Sequence, residues 1–114
     1  MRKVLVVDDD DFLQNLWEEV LRDEVKVIHA FTIEEAERKF AENSDIDAIV
    51  IDSCVPGWEL NTLPLVQKFR ATFKGPMLAI SDIPLYSGEL VRAGCSHKCK
   101  KEFVPRELCE ILGL

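Results

Sequence analysis

At 114 residues, 47% of them hydrophobic, the chain is long enough to bury one core without cross-links and is expected to form a single domain, 1–114. Lys and Arg number 14 against 21 Asp and Glu, a net charge of -7 that disfavours non-specific binding to nucleic-acid phosphates and suits a cationic partner surface. No segment approaches the length of a membrane span, and Cys54, Cys95, Cys99 and Cys109 lack the spacing of a disulfide framework, so a cytoplasmic protein with reduced thiols is expected.

The first apolar run, Val4–Val7, follows a basic start in the manner of a secretory leader, but it stops after four residues in Asp8-Asp9-Asp10-Asp11. Phe12, Leu13, Leu16, Trp17, Val20 and Leu21 then recur at helical spacing, which predicts strand, turn, helix. The β-branched stretch Val25–Ala30 predicts a second strand. Thr32 with Glu35 has the pattern of a capping box opening a helix whose apolar face includes Ile33, Ala36 and Phe40. Ala48–Ile51 reads as a buried third strand, Pro56-Gly57 as a turn, and Leu63, Val66 and Phe69 as a helix with Pro64 in its first turn, closed by Gly75-Pro76.

Met77–Ile80 is the fourth strand. Beyond Ser81, Pro84 and Ser87-Gly88 leave room for only a short fourth helix, Glu89 to Ala93. His97–Lys100 reads as a short fifth strand, and Pro105 as a first-turn residue of a last helix carrying Leu108, Ile111 and Leu112. Five strands alternating with helices argue for an α/β fold with a parallel sheet covered on both faces, whose ligands sit beyond the carboxyl ends of the strands.

That rule brings together Asp8 and Asp9 after the first strand, Asp52 after the third, Ser81 after the fourth and Lys101 after the fifth. Three clustered carboxylates repel one another, and a hard cation such as Mg2+, bound through a few carboxylates and completing its shell with water or phosphate, would relieve them. The remaining acids have a simpler role: Asp10 or Asp11 caps the following helix.

With these residues in order, the chain resembles the receiver domain of two-component response regulators over essentially its whole length. Val4–Asp9 resembles the family's acidic pair, Ile49–Asp52 with Pro56-Gly57 its phosphoacceptor strand and loop, Met77–Ser81 its hydroxyl position, and Lys101-Glu102-Phe103 its Lys-Pro-Phe. The resemblance implies a flavodoxin-like sheet of order 2-1-3-4-5. It also implies that Asp52 accepts a phosphoryl group from a histidine kinase or phosphotransfer protein, assisted by Ser81 and Lys101. Mg2+ would be held by Asp8, Asp9, Asp52 and the backbone carbonyl of Cys54. Neither nucleic acid nor a membrane is an expected direct partner, and catalysis would be limited to self-phosphorylation and dephosphorylation.

Four positions depart from the family pattern. Lys98 stands where an aromatic residue is usual, Asp82 where a small residue follows the hydroxyl, Leu60 where Gly is common and Glu102 where Pro follows the Lys. The Ser81–Lys101 segment is also shorter than usual, so an altered output face is expected. Without proline, a cis bond at Lys101-Glu102 would cost about 2.5–4 kcal/mol, so a trans bond is expected, with Lys101 held loosely near Asp52. Two other functions compete. A phosphorylation-independent binding module is favoured by Lys98, Asp82 and Glu102, whereas a haloacid dehalogenase-type phosphohydrolase would need a cap insertion for which the chain has no room. Cys95, His97 and Cys99 alternate as on one strand face, but they lack a fourth ligand and zinc-finger spacing, so buried small thiols are the simpler reading. Trp17 is expected in the core and Trp58 in an exposed loop.

Overall fold

The computed structural model describes residues 1–114. Its elements run β1 (Arg2–Val7), α1 (Asp11–Leu21), β2 (Val25–Ala30), α2 (Ile33–Glu42), β3 (Ala48–Asp52), α3 (Leu63–Arg70), β4 (Met77–Ile80), α4 (Pro84–Ala93), β5 (His97–Cys99), a 3-10 turn (Lys101–Phe103) and α5 (Val104–Leu112). All strands are parallel and ordered β2-β1-β3-β4-β5, with Val4 opposite both Val27 and Ala48, and Asp52 opposite Ile80.

Alternation along the strands divides the core into two layers. Leu5, Val7, Ile49, Ile51 and Ala79 point toward α2, α3 and α4, where Ala36, Val66, Phe69 and Leu90 meet them. Val4, Val6, Val50, Leu78 and Ile80 point the other way, toward Trp17 and Leu21 of α1 and Leu108 and Leu112 of α5. Every residue of β3 is buried, as a central strand covered on both faces requires.

Local chemistry explains the helix starts. Asp10 caps α1, accepting from the Leu13 amide at 3.0 Å. Thr32 caps α2 through the Glu35 amide at 3.0 Å, while the Glu35 carboxylate takes the Phe31 amide, one residue before the cap. Prolines occupy the first turns of α3, α4 and α5, where a missing N–H costs nothing.

Strand ends differ from the sequence reading by one or two residues, β5 stopping at Cys99, and two helix boundaries depart further. Helix α3 ends at Arg70, well before Gly75-Pro76, because the Arg70 guanidinium takes over the turn, donating to the carbonyls of Phe73, Gly75 and Gly94 at 2.8–2.9 Å. The fourth helix is not shortened to Glu89–Ala93: it begins at Pro84, and Ser87 hydrogen-bonds back to the Pro84 carbonyl at 3.1 Å. Gly94 then ends it at φ 145°, a conformation side chains rarely adopt, with the Arg70 side chain 3.2 Å from where a Cβ would stand. Trp17 is buried and Trp58 is 90% exposed.

Met1 and Leu114 line one shallow depression with Asp23 and Glu24, at the amino ends of the strands. No helix is long and apolar enough to cross a membrane.

Candidate functional site

The carboxyl ends of β1, β3 and β4 deliver Asp8, Asp52 and Ser81 to one edge, and the 3-10 turn after β5 delivers Lys101 to the same place. Asp8 is fully buried: its Oδ1 accepts from the Asp10 amide at 2.9 Å, while its Oδ2 has no hydrogen-bond donor. The Lys101 ammonium lies 3.2 Å from that Oδ2, close enough for charge but outside hydrogen-bond geometry, and donates to Asp52 Oδ2 at 3.0 Å. Lys101 reaches this position from a trans bond to Glu102, as expected. The expectation of a loosely held Lys101 is therefore wrong; the 3-10 turn aims the side chain into the site without a cis peptide.

Burial governs the electrostatics. It pushes the Asp52 carboxyl up from 3.8 to about 6, helped by the Asp8 charge and opposed by Lys101. Asp8 is raised as well, by burial first, against the Asp10 amide and Lys101. Burial alone would lower Lys101, but the Asp52 and Asp8 carboxylates outweigh it and hold the ammonium protonated.

Asp8, exposed Asp9 and Asp52 each present a carboxylate oxygen, all within 4.8 Å of one another. An all-oxygen donor set with one buried oxygen that has no hydrogen bond fits a hard divalent cation better than a soft one. Beside it, a cavity of about 110 Å³ is lined by Asp52, Cys54, Trp58, Ser81, Ile83 and Lys101, among others.

Several supporting residues escaped the sequence reading. Thr62 is buried, and its hydroxyl faces the carbonyls of both Asp52 and Ser53, at 2.8 and 3.1 Å, fixing the peptide beside the carboxylate. Asn61 closes the Cys54–Leu60 loop by exchanging two hydrogen bonds with the Val55 backbone. Gln14, fully buried in α1, points its amide nitrogen at the carbonyls of Val6, Asp8 and Ala30 at 2.9–3.1 Å, and its oxygen is 2.6 Å from His29 Nδ1. A polar residue within an apolar stripe was the available signal for Gln14; Asn61-Thr62 before a helix was the signal for the other two.

Cys95, His97 and Cys99 do not share a face. Cys95 is buried in the layer under α3 and α4, Cys99 packs against the opposite layer, and His97 is exposed. Burial raises both thiols to about 12, which keeps them protonated.

No protein-family model and no curated protein matches the chain. Solved structures do. A two-component response regulator from Clostridium difficile is 18% identical, with a TM-score of 0.84 over 99% of this chain and 97% of that one. The receiver domain of the Francisella response regulator 1452 is 25% identical, with a TM-score of 0.80 over 99% and 94%. A CheY-like receiver domain from Methylobacillus flagellatus is 20% identical, with a TM-score of 0.82 over 99% and 97%. From its first strand to its last helix, this chain has the fold of a response regulator receiver domain.

Proposed function

We propose that the chain is a phosphoacceptor module of a phosphorelay, in which Asp52 takes a phosphoryl group from the phosphohistidine of a histidine kinase or phosphotransfer protein. The observation that carries this reading is the Asp52 carboxylate, buried at the end of the central strand with Lys101 Nζ at 3.0 Å and two further carboxylates beside it. An Asp52 oxygen forms the new bond to phosphorus as the phosphorus–nitrogen bond breaks, its electron pair returning to the imidazole. Charge spread over the phosphoryl oxygens is met by the Lys101 ammonium and the Ser81 hydroxyl, positioned before the reaction. Asp8, Asp9 and Asp52, with the backbone carbonyl of Cys54, would hold Mg2+, which when bound supplies positive charge to those same oxygens. The only chemistry on this chain is then its own phosphorylation and dephosphorylation.

The exposed side chains Phe12, Leu16 and Val20 form a stripe along α1 leading away from the acidic edge, a surface suited to the donor protein. A competing reading, a binding module independent of phosphorylation, draws on Lys98, exposed on β5, and Asp82, exposed at the cavity beside Asp52.

Incubation with a small phosphodonor and Mg2+, followed by intact-mass measurement, tests the proposal. One phosphoryl group is expected on the wild type and none on Asp52→Asn. Equal labelling of both would sink the assignment, and no labelling of either would leave the binding module. Hydrolysis of the adduct should be slow, because Cys54 and Ile83, which line the cavity, offer no group that orients water well. Loss of the label within seconds would contradict that part.

A further inference from the structure

Ser53, the residue after the proposed phosphoacceptor, is 1% exposed and donates its hydroxyl proton to Ser81 Oγ at 3.1 Å. The Ile83 amide donates to the same Ser81 oxygen at 3.0 Å. A serine hydroxyl has two acceptor lone pairs and one proton, so both lone pairs of Ser81 are occupied. Its proton has no protein acceptor, and Ser81 lines the cavity beside Asp52. Ser81 can act there only as a donor.

Ser53 is itself fixed. Its amide donates to the Ile80 carbonyl at 3.2 Å, and its carbonyl accepts from the Asn61 amide at 3.1 Å, with the Thr62 hydroxyl, shared with the Asp52 carbonyl, also 3.1 Å away. Cys54 Sγ lies 3.6 Å from Ser53 Oγ. Since the Ser53 proton is committed to Ser81, the Cys54 thiol is the donor in that contact. Thiol, hydroxyl and hydroxyl thus form a chain polarised in one direction, ending at the cavity.

We propose that Ser53 is a positioning residue for phosphoryl transfer: by occupying a lone pair of Ser81 it commits the Ser81 proton to an oxygen of the phosphoryl group on Asp52. The inference rests on the phosphoacceptor reading, and it makes Ser53, which borders the cavity but is 1% exposed with its proton given to Ser81, act through Ser81. Turning a hydroxyl that can point either way into a fixed donor removes a reorganisation step as charge develops.

The test is a double-mutant cycle on the rate of labelling by a small phosphodonor with Mg2+, comparing wild type, Ser53→Ala, Ser81→Ala and the double variant. Ser53→Ala is expected to slow labelling about tenfold, the equivalent of one oriented hydrogen bond, without changing Mg2+ affinity. In the Ser81→Ala background the same change should cost nothing further. Ser53→Cys, which keeps the volume and a weaker donor, should fall between wild type and Ser53→Ala, and it carries the comparison if Ser53→Ala does not fold. An equal loss in both backgrounds, or a wild-type rate in Ser53→Ala, would overturn the inference while leaving the phosphoacceptor reading standing. A wild type that takes no phosphoryl group would overturn both.

Discussion

Asp52 is ionised only at a cost, and that cost has a measurable pH signature. Burial raises its carboxyl from 3.8 to about 6. Between those values the folded chain holds a proton that the unfolded chain has released, so stability falls as pH rises through this window. Over that window the loss amounts to about 3 kcal/mol. Asp8 acts in the same direction. Asp52→Asn removes the penalty but leaves Lys101 with Asp8 as its remaining partner, so the variant should be more stable than wild type at pH 7 by about 2 kcal/mol. Urea denaturation from pH 4 to 7 checks this: a flatter curve for Asp52→Asn is expected, and a less stable variant at pH 7 would refute it. Carboxyl NMR should place the Asp52 midpoint near 6. Mg2+ should move that midpoint down, since a bound cation favours the charged form.

Helix α1 has a buried face and an exposed apolar face, and the two can be tested separately. Trp17 and Leu21 bury against the sheet, while Phe12, Leu16 and Val20 stand 72%, 46% and 59% exposed. Leu16→Asp should therefore leave stability within about 0.5 kcal/mol. If a phosphohistidine protein docks on the stripe, the same change should slow transfer from that protein but not from a small phosphodonor. Equal rates with the protein donor would remove the stripe from the docking surface. The helical period of this segment was legible in the sequence, but period alone could not separate core from surface, because all six apolar positions fit one broad stripe. The strands, the cap at Thr32 and the cluster of Asp8, Asp9, Asp52, Ser81 and Lys101 on one edge were legible because each rests on local pattern plus the strand-end rule. The end of α3, the start of α4 and the close approach of Lys101 were not. Each depends on a contact remote in sequence or on a turn geometry: Arg70 reaching Gly94, Ser87 bonding inward at Pro84, and the 3-10 turn at Lys101.

At the scale of the whole molecule, the proposed cation site would couple Mg2+ binding to folding. Asp8, Asp9 and Asp52 converge only in the folded chain, so Mg2+ should stabilise it, by about 2.7 kcal/mol at a concentration 100 times the dissociation constant. Thermal unfolding with and without Mg2+ measures the effect. Asp9→Ala is the cleaner control, because Asp9 is exposed and contributes nothing to the core. It should abolish most of the Mg2+ response while leaving the metal-free melting temperature nearly unchanged. An undiminished response in Asp9→Ala would remove Asp9 from the ligand set.

The placement of Met1 and Leu114 around one shallow depression, at the end of the sheet away from Asp52, has a practical consequence. A peptide bridge could join the two ends while new termini are opened elsewhere, giving a circular permutant. Cutting within the exposed Pro56–Glu59 segment would open the loop beside the carboxylate, while the Asn61 and Thr62 contacts reach across the cut to Val55, Asp52 and Ser53. Such a permutant should keep the sheet order and still bind Mg2+. Its rate of labelling by a small phosphodonor would then test how far a continuous loop, as opposed to the pinned Asp52–Ser53 peptide, holds the proposed acceptor carboxylate in place.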